Sequence, residues 1–241
     1  MVPAKAQRRK VTKATGKIVN VDAFVGKLFA PLRLCGKVFS SPLPPRAEND
    51  YATHVPILIG LAGIRRVERV LELGCGNYST KTFLNRSAFP HLKTLQSFEN
   101  DDAWANTIRT DVAHDSRCSI TSVTGAMADA VSTLDLESFD LIFIDDSTTS
   151  EQRAATIRSL SVLHAQNPWL VIHDYEVDEY QRACSNFAHR FTFKAYNPYT
   201  GLVFNRAALK NQLRTLDQRL KENSSILDPD DCAGWIDALR K

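Results

Sequence analysis

From Tyr51 onward, short runs rich in β-branched and aromatic residues alternate with longer runs of helical periodicity, and this alternation constrains the fold more than any other feature. Strands separated by helices pair in parallel, because each crossover carries the chain back to the same edge of the sheet and leaves helices on both faces. The runs predict strands at Arg69 to Leu73, Thr94 to Phe98, Ser119 to Thr124, Leu141 to Asp145 and Leu170 to His173. Helices are predicted at Tyr51 to Leu61, Ser79 to Asn85, Asp102 to Val112, Ala126 to Thr133, Glu151 to Leu163 and Val177 to Phe187. The last two strand-like runs, Phe191 to Tyr196 and Gly201 to Phe204, break the alternation. The join of four residues between them is too short for a parallel crossover, so they predict an antiparallel hairpin. The expected fold class is therefore α/β, a doubly wound, mostly parallel seven-stranded sheet closed by an antiparallel terminal hairpin.

At 241 residues the chain suits one large domain with appendages. Its net charge of +3 hides an asymmetry: residues 1–37 carry nine Lys or Arg against Asp22 alone, and the remainder is mildly acidic. A nucleic-acid-binding body is disfavoured, because phosphate contacts need Lys and Arg gathered on one face. Met1 to Gly16 reads as a basic tail without the apolar core of a secretory signal. Ile18, Val21, Val25 and Leu28 then recur at helical spacing and predict an amphipathic helix, which either packs on the body or meets a membrane surface or partner. Pro42, Pro44 and Pro45 form a stiff link. The apolar run Val55 to Ile64 is about half the length that crosses a bilayer. Five scattered cysteines without a C-x-x-C pair fit neither a disulfide framework nor a structural zinc site, so a reducing, cytoplasmic setting is expected.

Leu209, Leu213, Leu216 and Leu220 stripe a charged helix from Ala207 to Glu222, and a second helix spans Asp230 to Leu239. They dock on the parent domain or form a homodimer contact. The expected organisation is an appendage over residues 1–50, a ligand-binding domain over 51–205 and C-terminal helices over 206–241.

Directly after the first strand stands Glu72-Leu73-Gly74-Cys75-Gly76-Asn77-Tyr78-Ser79-Thr80. Gly74 and Gly76 allow a sharp turn and close backbone approach to a ligand, while Ser79 or Thr80 can cap the following helix. For a dinucleotide fingerprint the third glycine would fall at Ser79, so that pattern is broken and a nicotinamide-dependent oxidoreductase is disfavoured. Glu99 ends the second strand, beside this turn, where its carboxylate can accept both hydrogen bonds of a ribose diol.

These residues resemble a class I S-adenosylmethionine-dependent methyltransferase. Glu72 to Gly76 is similar to that superfamily's first motif, Glu99 to its ribose-binding acid and Asp140 to Asp145 to its fourth motif. The terminal hairpin matches the reversed seventh strand of this Rossmann-like fold. The resemblance covers residues 51–205, and more narrowly resembles a group of bacterial O-methyltransferase-like proteins through Gly-Asn-Tyr-Ser-Thr, Ser-Phe-Glu-Asn-Asp-Asp-Ala-Trp and Thr200-Gly201-Leu202. It implies S-adenosyl-L-methionine as methyl donor, with Glu72, Gly74, Cys75, Gly76, Glu99, Asn100 and Asp145 at the donor site. Gly125, Ala126 and Met127 would line the adenine pocket by backbone contact and packing, since Ala126 stands where many members carry an aspartate. It implies a small-molecule or glycan acceptor, with oxygen as the methylated atom. A non-catalytic scaffold of the same fold is the alternative.

Methyl transfer requires alignment of donor and nucleophile and removal of a proton from a hydroxyl acceptor. The candidates are Asp145 and Asp146 after the fourth strand, and His173, Asp174 and Tyr175 after the fifth. Three roles stay open: His173 as a metal-free general base, Asp145 and Asp174 as ligands of Mg²⁺ or a similar ion, or structural capping. His54 could close over the donor but is expected to be packed or solvated, Arg153 could pair with an anionic substrate but is expected to form an exposed salt bridge, and Trp104 and Trp169 are expected to pack in the core.

Overall fold

The computed structural model describes residues 49–147, 149–161, 168–204 and 209–240. The basic tail, the amphipathic helix from Ile18 and the proline-rich link lie outside the described residues. The five parallel strands fall where the alternation placed them: β1 (Arg69–Leu73), β2 (Thr94–Glu99), β3 (Cys118–Ser122), β4 (Leu141–Ile144) and β5 (Trp169–Ile172). With β6 (His189–Phe193) and β7 (Thr200–Phe204) they form one seven-stranded sheet of order β3-β2-β1-β4-β5-β7-β6. β7 is antiparallel to both β5 and β6, as the short join requires.

β4 and β5 are apolar and buried at every position, because helices cover both sheet faces. Alternate residues feed two cores. Val70, Phe143 and Val171 pack on one side, while Leu71, Ile142 and Ile172 pack on the other. The first side is covered by α1 (Val55–Ile64), α2 (Ser79–Leu84), α7 (Lys210–Asn223) and α8 (Cys232–Arg240). The second is covered by α4 (Met127–Val131), α5 (Ser150–Leu160) and α6 (Asp178–Ala183). α3 (Asp102–Asp111) contacts β2 and β3.

The leucine stripe of α7 docks on the parent domain through Leu213, Leu216 and Leu220. Gly60 on α1 permits this, since a Cβ there would lie 2.9 Å from Leu216 Cδ2 and nearer still to Cδ1. Several boundaries differ from expectation by up to four residues, those of α1 and β6 among them. α1 starts at Val55 rather than Tyr51, because Pro56 is tolerated only in a first turn, and a separate 3₁₀ turn takes Asp50–Ala52. β6 begins two residues early and ends at Phe193, so the hairpin join is longer than four residues. Among the described residues, no helix is long and apolar enough to cross a membrane.

The register aligns the strand ends that carry the chemistry. Leu73 lies level with Phe98 on β2 and Ile144 on β4, and Ile144 lies level with Ile172 on β5. The ladder continues one step further: Gly74 N–H donates to Phe98 O at 2.8 Å, Asp145 N–H to Leu73 O at 2.7 Å and His173 N–H to Ile144 O at 3.1 Å. Gly74, Glu99, Asp145 and His173 therefore emerge side by side at the carboxyl edge. Strand order reverses between β1 and β4, so the edge is also the crevice where open α/β sheets bind ligands.

Candidate active site

The turn after β1 is held from beneath. Glu72 is fully buried, and its Oε2 accepts hydrogen bonds from Ser97 Oγ at 2.5 Å and Thr80 Oγ1 at 2.8 Å. Thr80 Oγ1 in turn accepts from Gly76 N–H at 3.0 Å, so its hydroxyl links the acid to the loop instead of capping α2. Burial pushes the Glu72 carboxyl up to about 7, against the opposing hydrogen bonds from Ser79, Ser97 and Thr80. Glu72 thus supports the turn rather than facing a ligand. Gly74 has φ +89°, and a Cβ there would lie 2.6 Å from the carbonyl carbon of Asp145. Only glycine fits.

Glu99 is buried beside this turn, with Oε1 accepting from Asp101 N–H at 2.9 Å. Burial raises its pKa, while backbone N–H groups of Asp101, Asn100 and Cys75 oppose the rise. Asp101 caps α3 by accepting from Trp104 N–H at 3.0 Å. Trp104, expected in the core, is 37% exposed, and its Nε1–H donates to Cys75 O at 2.8 Å. Its ring fastens the glycine turn to α3. Gly125, Ala126 and Met127 follow the end of β3, with Met127 buried at the start of α4.

Beyond Gly74 the ends of β4 and β5 carry a charged cluster. Arg153, expected on the surface, is buried and reaches Asp145 Oδ1 at 2.7 Å and Asp174 Oδ2 at 3.0 Å. Its Nη2 also donates to Ser147 O at 2.7 Å, and its guanidinium lies 5.4 Å from the Tyr180 ring centroid. Arg153 stands in the first turn of α5, which begins at Ser150 after β4 ends at Ile144, and its side chain reaches both aspartates instead of solvent. Asp146 is buried and accepts from Thr156 Oγ1 at 2.6 Å. Asp174 sits in the left-handed region at φ +56°, a conformation aspartate tolerates better than most residues.

His173 Nδ1 lies 3.5 Å from Asp145 Oδ2 and 3.6 Å from Asp174 Oδ1, while its Nε2 is 2.9 Å from Thr53 Oγ1. Burial lowers its pKa, but Asp145 and Asp174 outweigh that and raise it overall. Asp145 shows the converse: burial acts upward, yet His173 and Arg153 hold its carboxyl down at about 2. His54 packs edge-to-face on His173 with ring centroids 4.9 Å apart. Burial, and the charge of His173, push His54 down to about 3. It is therefore neutral.

No family model matches the chain, and no curated protein matches it. Solved structures do. A candidate O-methyltransferase from Klebsiella pneumoniae superposes with TM-score 0.50 at 20% identity, covering 67% of this chain and 83% of that one. The S-adenosylhomocysteine-bound methyltransferase PaMTH1 from Podospora anserina gives TM-score 0.50 at 15% identity, covering 64% and 78%. A spermidine synthase from Thermotoga maritima gives 0.49 at 14%, covering 69% of this chain but less than two thirds, 63%, of that enzyme. The chain has the class I methyltransferase fold. The seven-stranded, mostly parallel sheet, the reversed β7 and the glycine turn after β1 agree with the expectation from sequence.

Within this fold, Gly74, Cys75, Gly76, Glu99 and Asn100 lie on one sheet edge with Asp145. Asp145 and Asp174 do not form an open pair for Mg²⁺: the Arg153 guanidinium bridges them. His173 is 4% exposed and lies behind the partly exposed carboxylates of Asp145 and Asp174, so it is not an open general base. Sequence reasoning left out Thr53 and treated His54 as a packed or solvated residue. The available signal was two polar residues, Thr53 and His54, directly before a wholly apolar helix, in a position to be buried with it.

Proposed function

We propose that the chain is an S-adenosyl-L-methionine-dependent methyltransferase acting on a hydroxyl of a small molecule or glycan. One observation carries this reading: the donor-type turn and the acid–histidine cluster are in contact at the switch point, Gly74 lying against the Asp145 backbone with no room for a side chain. A site that only held a nucleoside would not need charged chemistry built against its glycine turn.

The fit to the donor rests on two features. Gly74 leaves a backbone cradle that a Cβ would fill, and the Glu99 carboxylate, buried beside the turn with Oε1 accepting from Asp101 N–H, would take a ribose diol. Gly125, Ala126 and Met127 would wall the adenine. When bound, the donor supplies an electrophilic methyl group on sulfur. The protein's task is then alignment and proton management. Trp104 fixes the loop through Cys75 O, Arg153 holds the Asp145 and Asp174 carboxylates in place, and those two carboxylates are the part of the cluster open to an acceptor. The acceptor's proton leaves toward this group, backed by His173.

The reading is tested by incubating the protein with methyl-labelled S-adenosylmethionine and a panel of phenolic and glycan hydroxyl acceptors. Label recovered as an O-methyl ether supports it. Donor binding with no transfer to any acceptor class would favour the scaffold alternative, and label recovered on nitrogen would correct the acceptor atom.

A further inference from the structure

The buried imidazole of His54 has no use in that account. It is 2% exposed, and neither Nδ1 nor Nε2 has a hydrogen-bond partner among the described residues. An unpartnered ring nitrogen buried away from water is costly, so a buried histidine that satisfies neither nitrogen needs a partner of another kind. Its neighbours supply the remainder of a coordination set. One ligand atom each from His54, Asp145 and His173 lie within 4.8 Å of one another. Donors around a tetrahedral ion at ordinary bond lengths sit about 3.4 Å apart, which the His173 Nδ1 to Asp145 Oδ2 separation of 3.5 Å already matches.

We infer that His54, His173 and Asp145 bind a divalent transition-metal ion of the zinc class. The orientation of two of the three ligands is arranged by a second contact. His173 Nε2 is tied to Thr53 Oγ1, which leaves Nδ1 facing Asp145, and Asp145 Oδ1 is held by Arg153, which leaves Oδ2 facing His173. Such outer contacts are the usual means of fixing ligand direction. Formal charge agrees: Asp145, Asp146 and Asp174 face the guanidinium of Arg153, so with His173 neutral, as a metal ligand must be, the cluster keeps a surplus of two negative charges beside two imidazoles. Two nitrogens and one oxygen favour Zn²⁺, Co²⁺ or Fe²⁺ over Mg²⁺, which prefers oxygen throughout. Three protein ligands leave a position open for water or an acceptor oxygen, whose pKa the ion lowers. The inference deepens the proposed hydroxyl methylation by naming what activates the hydroxyl, but the binding itself requires no methyl donor.

The test uses the full chain, stripped with chelator and titrated with Co²⁺ without donor. The expected result is one saturable visible ligand-field band per chain, displaced by Zn²⁺ and unaffected by hundredfold excess Mg²⁺. His54→Gln should weaken Co²⁺ binding by about hundredfold, and Asp145→Asn by at least about tenfold. Asp174→Asn, outside the ligand set, should change it less than threefold. Absence of the band in the wild-type chain overturns the inference, as does full affinity in His54→Gln or displacement by equimolar Mg²⁺. Should His54→Gln fail to fold by circular dichroism, Asp145→Asn against Asp174→Asn decides the matter. Because donor is absent throughout, failure here leaves the methyltransferase reading standing.

Discussion

Gly74 and Asp145 meet backbone to backbone: the loop after β1 runs so close to the carbonyl of the first residue after β4 that a methyl group on Gly74 would overlap it. Contact and a φ of +89° act together there. Gly74→Ala is expected to destabilise the chain by at least about 2 kcal/mol, since left-handed strain alone costs about 1–3 kcal/mol for an ordinary residue. Urea denaturation checks this, and an unchanged midpoint would show that the loop can relax away from β4.

The Nε1–H of Trp104 holds Cys75 O and so fixes the turn that is proposed to face the donor. Trp104→Phe keeps an aromatic ring and removes this donor. A hydrogen bond of net worth about 1 kcal/mol corresponds to roughly fivefold. Affinity for S-adenosylhomocysteine should fall by about that factor with little change in thermal midpoint, measured by calorimetry and by thermal melting.

Glu72 makes stability depend on pH in an uncommon direction. Its folded pKa is raised from 4.5 to about 7, so the native state holds its proton more tightly than the unfolded chain. Its contribution is greatest below about 4.5 and is lost as pH rises through about 7. Glu72→Gln, which stays neutral, should flatten the stability profile across this window and match or exceed wild type at pH 8. Denaturation at a series of pH values checks it; parallel profiles for the two proteins would contradict the assignment.

Arg153 balances aspartates on two strand ends from within the protein. Replacing it leaves buried carboxylates without their cation, a loss of about 3–5 kcal/mol in comparable cases. Arg153→Met should therefore unfold at markedly lower urea than wild type, and Arg153→Lys should recover only part of the loss, because one ammonium cannot match the guanidinium fork. Equal stability of the Lys variant and wild type would mean that charge alone matters.

What the sequence revealed follows from which features are local. Leu141 to Ile144 is too short and too apolar to be anything but a strand buried on both faces, and Gly74 and Glu99 mark their strand ends without help from distant residues. Sequence alone makes Arg153 an exposed salt-bridge residue and His54 a packed or solvated one, because their surroundings come from elements far away in sequence. Arg153 is buried by the ends of β4 and β5, and His54 by His173 and Phe143 across the sheet edge. Trp104 sits on a helix of ordinary amphipathic pattern, and nothing local shows that its ring faces the glycine turn. Glu72 looked like a ligand-facing acid, and only the register opposite Ser97 shows that it points beneath the loop.

The central claim is that Glu99 and the Gly74 turn form a donor site. Calorimetric titration of the wild-type chain and of Glu99→Ala with S-adenosylhomocysteine tests it most directly. Micromolar binding by the wild type, weakened at least tenfold in the variant, is the expected result. No binding by the wild type, or equal binding by both proteins, would contradict it.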